Sequence, residues 1–267
     1  MVDRESFAQK YGPWAVIAGG SEGLGASFAD QLTDAGLGVV LLGRKIEPLE
    51  EEAQRLRANG AQVRTLSVDL SADDLTTRVR TLTDDLDVGL LVYNAGSNSY
   101  GAEFVEGDLQ RFQLVLDVNM KGRLALCHHF GKRMKERGRG GLLLVGSMAG
   151  YRGSPWNALY NAAKAFTRVF AEGLWWEMKD NGVDVVEFVV GGMKTPAMAR
   201  RGMDLSAAAE PGDVAREGLD HLTDGPVWVS ELAGGVATAD HLNTFPRATI
   251  VDEAANSLVA LGLYPPK

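Results

Sequence analysis

Short runs rich in Val, Leu and Ile recur along the chain at Ala15–Ala18, Val39–Leu42, Val63–Val68, Leu90–Tyr93, Gly141–Val145 and Val183–Val190. Longer segments with helical spacing separate them, which is the β-α-β rhythm of a parallel sheet. Between the second and third runs, Leu49, Ala53 and Leu56 fall at steps of four and three residues, and Gly60 follows Asn59 as a stop. This segment predicts an amphipathic helix against one face of the sheet. Ser71, ahead of Asp73 and Asp74, predicts a helix N-cap with acidic residues in the first turn. Helices are also expected over Ala26–Ala35, Asp108–Arg137 and Trp156–Lys179.

The ends of the apolar runs are unusual: Gly19, then Gly43 with Arg44, Asp69, Asn94, Ser147 and Gly191. In open parallel sheets the ligand crevice lies beyond the carboxyl ends of the strands, so these positions should converge on one site. No linker or repeat divides the chain. The expectation is a single-domain α/β, doubly wound Rossmann fold over residues 1–267, with a mobile flap over Pro196–Pro211 and a C-terminal elaboration over 212–267.

Composition narrows the function. The 267 residues carry a formal net charge of −8, which argues against a surface for nucleic acid or anionic lipid. Cys127 is the single cysteine, so the chain encodes no internal disulfide and no cysteine-rich metal site. Met1–Lys10 is charged, and no apolar run approaches the roughly 20 residues that span a bilayer. These features predict a soluble cytoplasmic protein with neither membrane nor nucleic-acid partners.

Candidate chemistry begins at Gly19-Gly20-Ser21-Glu22-Gly23-Leu24-Gly25, directly after a strand and before a helix. Glycine permits a tight turn and close approach to a pyrophosphate, whose charge a helix N-terminus stabilises. An ordinary glycine-rich turn, or the loop of a nucleoside-binding methyltransferase, would read similarly. Arg44 lies 21 residues past Gly23, where an NAD site would place a carboxylate for the ribose 2′-hydroxyl. An arginine there suits a 2′-phosphate, although Glu22 would repel the same group. Tyr160 and Lys164, four residues apart in a helical segment, share one face. A nearby ammonium favours the phenolate and draws the phenol down from its usual value near 10. Ser147, thirteen residues earlier, would donate to a carbonyl oxygen as charge develops on it.

Through Gly19-x-x-x-Gly23-x-Gly25, Asn94-Ala95-Gly96, Asn119, Ser147 and Tyr160-x-x-x-Lys164, the chain resembles the short-chain dehydrogenase/reductase family from about Trp14 to Thr195. The opening Lys10–Val16 is similar to the branch of 17β-hydroxysteroid dehydrogenases and long-chain 3-oxoacyl reductases. The resemblance implies an NADP(H)-dependent enzyme with Asn119, Ser147, Tyr160 and Lys164 as its catalytic set. Asn119 would hold a water joining Lys164 to solvent, and Lys164 would also meet the nicotinamide ribose. It implies a cofactor site built from Gly19, Ser21, Gly23, Leu24, Gly25, Arg44, Asp69, Leu70, Asn94, Ala95, Gly96, Met193 and Thr195, together with Tyr160 and Lys164. Ala18, Tyr93 and Val190 depart from the family's usual threonine, asparagine and proline.

The implied reaction interconverts a small-molecule ketone and a secondary alcohol. Reduction of a 3-oxoacyl thioester and a non-catalytic NADP-binding sensor are the alternatives. Tyr100, Met148, Tyr151, Trp156, Met193, Met198 and Met203 fall in segments the family places around its substrate, which suggests a bulky apolar one; core filling is the competing reading. A homodimer or homotetramer through Asp108–Arg137 and Trp156–Lys179 is also implied. Cys127, His128 and His129 lack the spacing of a metal site, and Lys132–Arg139 reads as the solvated end of a helix.

Overall fold

The computed structural model describes residues 4–200, 202, 204–260 and 262. Seven parallel strands form one sheet: β1 (Trp14–Ala18), β2 (Gly38–Gly43), β3 (Val63–Ser67), β4 (Val88–Tyr93), β5 (Gly140–Val145), β6 (Val183–Val189) and β7 (Val227–Val229). Their order is β3-β2-β1-β4-β5-β6-β7, so the direction of winding reverses between β1 and β4. The six apolar runs are the first six strands. The three-residue β7 was missed because so short a run shows no period.

Alternation along each strand divides the core in two. Ile17, Leu41, Val92, Leu143 and Phe188 face one layer, where α2 (Gly23–Asp34), α3 (Ile46–Ala58) and α9 (Pro211–Asp220) supply Phe28, Leu49, Leu56 and Val214. Val16, Val40, Leu91, Leu144 and Val185 face the other, covered by α4 (Leu75–Thr83), α6 (Gly122–Arg137) and α7 (Ala158–Met178). Each large side chain buried in this way contributes about 1.5–3 kcal/mol. Leu49, Ala53 and Leu56 are the buried face of α3, as their spacing predicts. The short helix α1 (Arg4–Tyr11) is tied to β6 by the Tyr11 hydroxyl, which donates to Asp184 at 2.6 Å.

Several boundaries differ from expectation. Ser71 is no N-cap: its amide and hydroxyl donate to Asp69, and α4 begins four residues later. Asp69 holds Ser71 in a side-chain turn of its own, ahead of the helix and not at its cap. The helix after the glycine-rich loop starts at Gly23, not Ala26. The region 108–137 is three pieces: α5 (Leu109–Leu116), whose N-cap Asp108 accepts from Gln110 and Arg111, then a π-helical turn at Asp117–Lys121, then α6. Helix α7 begins at Ala158, because Trp156 has φ of 61°, in the left-handed region. The basic stretch at the end of α6 is only partly solvated, since Arg137 and Arg139 both pair with Asp87. In the segment after β6, α8 (Pro196–Ala199) follows Thr195, and Met193 forms a parallel bridge with Ala209.

Candidate active site

At the carboxyl end of the sheet, strand ends are laced to their neighbours. The Ala18 carbonyl accepts from the amides of Asn94 and Ala95, at 3.1 and 2.7 Å, and Gly19 donates to Leu42 at 2.8 Å. Asn94 also donates its side-chain amide to the Gly19 carbonyl at 2.9 Å. These bonds hold the ends of β1 and β4 together at the reversal point, beneath a cleft of about 370 Å³.

Nearly all the residues expected from sequence line this cleft. Gly19, Ser21, Gly23 and Leu24 form one wall, Arg44, Asp69 and Leu70 a second, and Asn94, Ala95 and Gly96 the floor. Ser147, Tyr160, Lys164, Met193 and Thr195 complete it. Gly25 is the exception among the cofactor residues. It is buried below the lining, where a Cβ would strike the Gly19 carbonyl. Asn119 lies behind the lining in the π-helical turn.

The cradle fits a dinucleotide. Gly19 has φ of +83°, and a Cβ there would come within 3.0 Å of Ala95. At Gly23, with φ of +58°, a Cβ would press to 3.1 Å from the Thr195 side chain. The N-cap residue of α2, Glu22, makes no side-chain capping bond, so the first-turn amides beside the cleft remain available to an anion. Arg44 is exposed at the end of β2, within electrostatic reach of Asp69. The expected repulsion by Glu22 is countered. Its carboxylate binds the Arg200 guanidinium at 2.5 and 2.9 Å, and that pairing holds Glu22 below the usual carboxylate range.

The candidate catalytic side chains come from three places in the fold. Tyr160 and Lys164 project from one face of α7, with the Lys164 Nζ 5.8 Å from the centre of the phenol ring. Lys164 is buried and donates to the Val145 carbonyl at 3.2 Å. Burial and the neighbouring Arg123 charge push its ammonium down to about 7. The Ser147 hydroxyl oxygen accepts from the Ala149 amide at 3.2 Å, which fixes the oxygen and leaves its proton free to donate into the cleft. Asn119, fully buried, donates to the carbonyls of Ser97 and Val115, both at 2.8 Å, and its Oδ1 is without a partner among the described residues. A Cβ at Gly96 would lie 2.9 Å from that oxygen and 3.2 Å from Lys164 Nζ, so this glycine holds open the space they share.

The departures from the family pattern are absorbed locally. Tyr93 sends its hydroxyl to the Val118 carbonyl at 2.8 Å, bracing the turn that carries Asn119. Val190 accepts from Met148 at 3.0 Å. Of the described members of the aromatic and methionine group, Met193 and Met198 line the cleft. Tyr151 and Met148 pack in a separate core with Val189, Leu242 and Ile250, so core filling accounts for these two, while the partly buried Tyr100 packs on Phe112. Met203 lies outside the described residues. Sequence reasoning missed Ser97, Val118 and Ala197, which line the cleft, and the buried Arg123 and Glu187 beneath it. Glu187 carried a signal: a glutamate within an apolar run marked as a buried strand.

Comparison with known proteins agrees with this geometry. The short chain dehydrogenase family model matches residues 13–205. The chain belongs to that family. It is therefore an oxidoreductase of the CH–OH/C=O type, in a family that uses a nicotinamide cofactor. A 7beta-hydroxysteroid dehydrogenase of Clostridium sardiniense is 33% identical over 222 residues, covering 81% of this chain and 85% of that protein. A very-long-chain 3-oxoacyl-CoA reductase of Neurospora crassa is 36% identical over 197 residues, covering 72% of this chain but 59% of its own. Among solved structures, one described for 7beta-hydroxysteroid dehydrogenase stereoselectivity superposes with a TM-score of 0.84 at 26% identity, covering 93% of this chain and 98% of its own. A short-chain dehydrogenase from Sphingobium yanoikuyae in complex with NADPH superposes at 0.73 with 27% identity, covering 82% of this chain and 87% of its own. Among the described residues, no helix is long and apolar enough to cross a membrane.

Proposed function

We propose that this short-chain dehydrogenase uses NADP(H) to interconvert a ketone and a secondary alcohol on a bulky apolar substrate, such as a steroid or aromatic ketone. The observation that carries the reading is the meeting of Tyr160, Lys164 and Ser147 at one end of the cleft whose other end is the glycine cradle. Arg44 beside that cradle supports NADP(H), as does the NADPH-bound relative. Met193 and Met198 on the wall, and relatives named as hydroxysteroid dehydrogenases, support an apolar substrate.

When bound, the nicotinamide supplies the hydride. The Ser147 hydroxyl donates to the substrate carbonyl and fixes its oxygen near the phenol. Tyr160 gives its proton to that oxygen as charge develops on it. The Lys164 ammonium stabilises the phenolate left behind, so Tyr160 is a stronger acid beside it than alone. In alcohol oxidation the same proton returns to Tyr160. Asn119 Oδ1, facing the space beside Lys164, would hold the water through which Lys164 exchanges protons with solvent.

Recording NADPH oxidation against steroid, aromatic and small polar ketones tests the reading. Tyr160→Phe should lower kcat about 10²–10⁴-fold without altering the fold. Unchanged turnover would refute the mechanism, and turnover of small polar ketones alone would refute the substrate class. The Neurospora crassa relative favours a second reading, reduction of a 3-oxoacyl thioester, which an acyl-thioester arm of the same panel measures. Exposed Leu124 on α6, and Val169 and Trp176 on α7, support a homodimer or homotetramer, which solution mass decides.

A further inference from the structure

Two charged side chains lie behind the reactive row, each fully buried and each on an element that otherwise packs apolar surface. Arg123, on α6, donates its Nε to the Asn119 carbonyl and an Nη to the Val145 carbonyl, both at 3.2 Å. Its guanidinium lies 4.6 Å from the Tyr93 ring centre, and its second Nη is without a hydrogen-bond partner among the described residues. Glu187, on β6, is 1% exposed. Its carboxylate lies against Gly146, where a Cβ would collide with it, and Oε2 is without a partner among the described residues. An isolated buried charge is costly, and each of these two groups lowers that cost for the other.

Both are joined to the site through β5. The Val145 carbonyl that accepts from Arg123 also accepts from Lys164 Nζ, so two cations converge on one oxygen. Gly146, the next residue, is the one Glu187 abuts, and Ser147 follows it. In so dry a setting, like charges disfavour each other and an adjacent carboxylate favours both.

We propose that Arg123 and Glu187 are positioning residues that act through Lys164, the guanidinium opposing its ammonium form and the carboxylate sustaining it. The proposal rests on the reductase reading above for its catalytic consequence. Lys164 faces Arg123 from α6, Glu187 from β6 and Tyr160 on its own helix. Glu187 faces Arg123, Lys164, and Arg168 and Glu172 from α7. Burial pushes the Glu187 carboxyl up to about 7, and burial together with Arg123 pushes Lys164 down to about 7. The alkaline limb of ketone reduction then follows loss of the Lys164 proton near neutrality, because a neutral amine no longer assists Tyr160 as an acid.

The test is direct titration of Lys164 by NMR in protein labelled with ¹⁵N-lysine, the resonance being identified by its loss in Lys164→Met. The wild-type midpoint should lie well below the ordinary lysine value. Glu187→Gln should lower it and Arg123→Met should raise it, each by about half a pH unit or more. Glu187→Asp, which keeps the charge, should restore the wild-type value. A wild-type midpoint in the ordinary lysine range, which needs no variant to measure, would overturn the proposal. So would shifts of both single variants in one direction, or a shift with Glu187→Asp as large as with Glu187→Gln. The alkaline limb of kcat should move in the same two directions. Opposed NMR shifts with no ketone turned over would sink only the reductase reading; turnover with an unmoved titration would sink only this one.

Discussion

Glu22 and Arg200 meet carboxylate to guanidinium beside the cleft, 178 residues apart in sequence, and pin the end of α8 to the glycine-rich loop. Removing the guanidinium leaves the carboxylate facing the phosphate end of the site. Arg200→Ala should therefore raise the KM for NADPH severalfold at low salt, and less in 0.5 M salt, because both groups are exposed and screened. Adding Glu22→Gln should recover most of the loss. Steady-state kinetics at two ionic strengths checks this, and no recovery in the double variant would mean that Arg200 acts otherwise.

In the proposed reading, Arg44 meets the 2′-phosphate of NADP(H). Arg44→Ala should weaken NADPH by about tenfold to a hundredfold while leaving NADH nearly unchanged, since only one of the two carries the extra charge. Fluorescence titration with both nucleotides measures it. Equal losses would remove Arg44 from the phosphate site.

At Gly96 an added methyl group would press on Asn119 Oδ1 and Lys164 Nζ, at 2.9 and 3.2 Å. Gly96→Ala should lower kcat more than tenfold by displacing Lys164, while overpacking costs only about 1–3 kcal/mol of stability. Urea unfolding alongside kinetics separates the two effects. Full activity with an intact fold would show that Lys164 tolerates displacement.

Glu187 also makes stability depend on pH. Its carboxyl has a folded-state value of about 7, raised above the ordinary 4.5, so between those values the folded chain binds the extra proton. That contribution to stability is complete below 4.5 and is lost as pH rises through 7. Glu187→Gln lacks it, so the variant's stability relative to wild type should climb from pH 4.5 to 7.5, whatever constant penalty the unpaired Arg123 adds. Urea midpoints across that range give the slope, and a flat difference would contradict it.

The parts of the site that depend on short spacings could be read from the chain alone. Tyr160 and Lys164 share a face because four residues make about one turn, and Gly19, Gly23 and Gly25 mark a loop because their neighbours change period from two to 3.6. The strand ends at Arg44, Asp69, Asn94 and Ser147 were expected to converge, since parallel strands deliver their carboxyl ends to one edge. The structure brings all four to the cleft.

Partnerships between distant elements could not be read in this way. The family resemblance places Met148, Tyr151, Met193 and Met198 alike around the substrate, yet the first two fill a core with the C-terminal helices and the last two line the cleft. Ser71 looks like a cap until Asp69 turns back on it. Glu187 reads as one of two acidic residues in a strand, and Arg123 as one basic residue among several on a helix. That they close on Val145 and Gly146 behind Lys164 is decided by how α6 and α7 pack against β5 and β6. The sequence by itself determined the sheet, the cradle and the tyrosine–lysine pair, because each follows from backbone period and local chemistry. Only the tertiary structure decided which charges are buried together and what neutralises Glu22, because those energies depend on the distance and dielectric between segments remote along the chain.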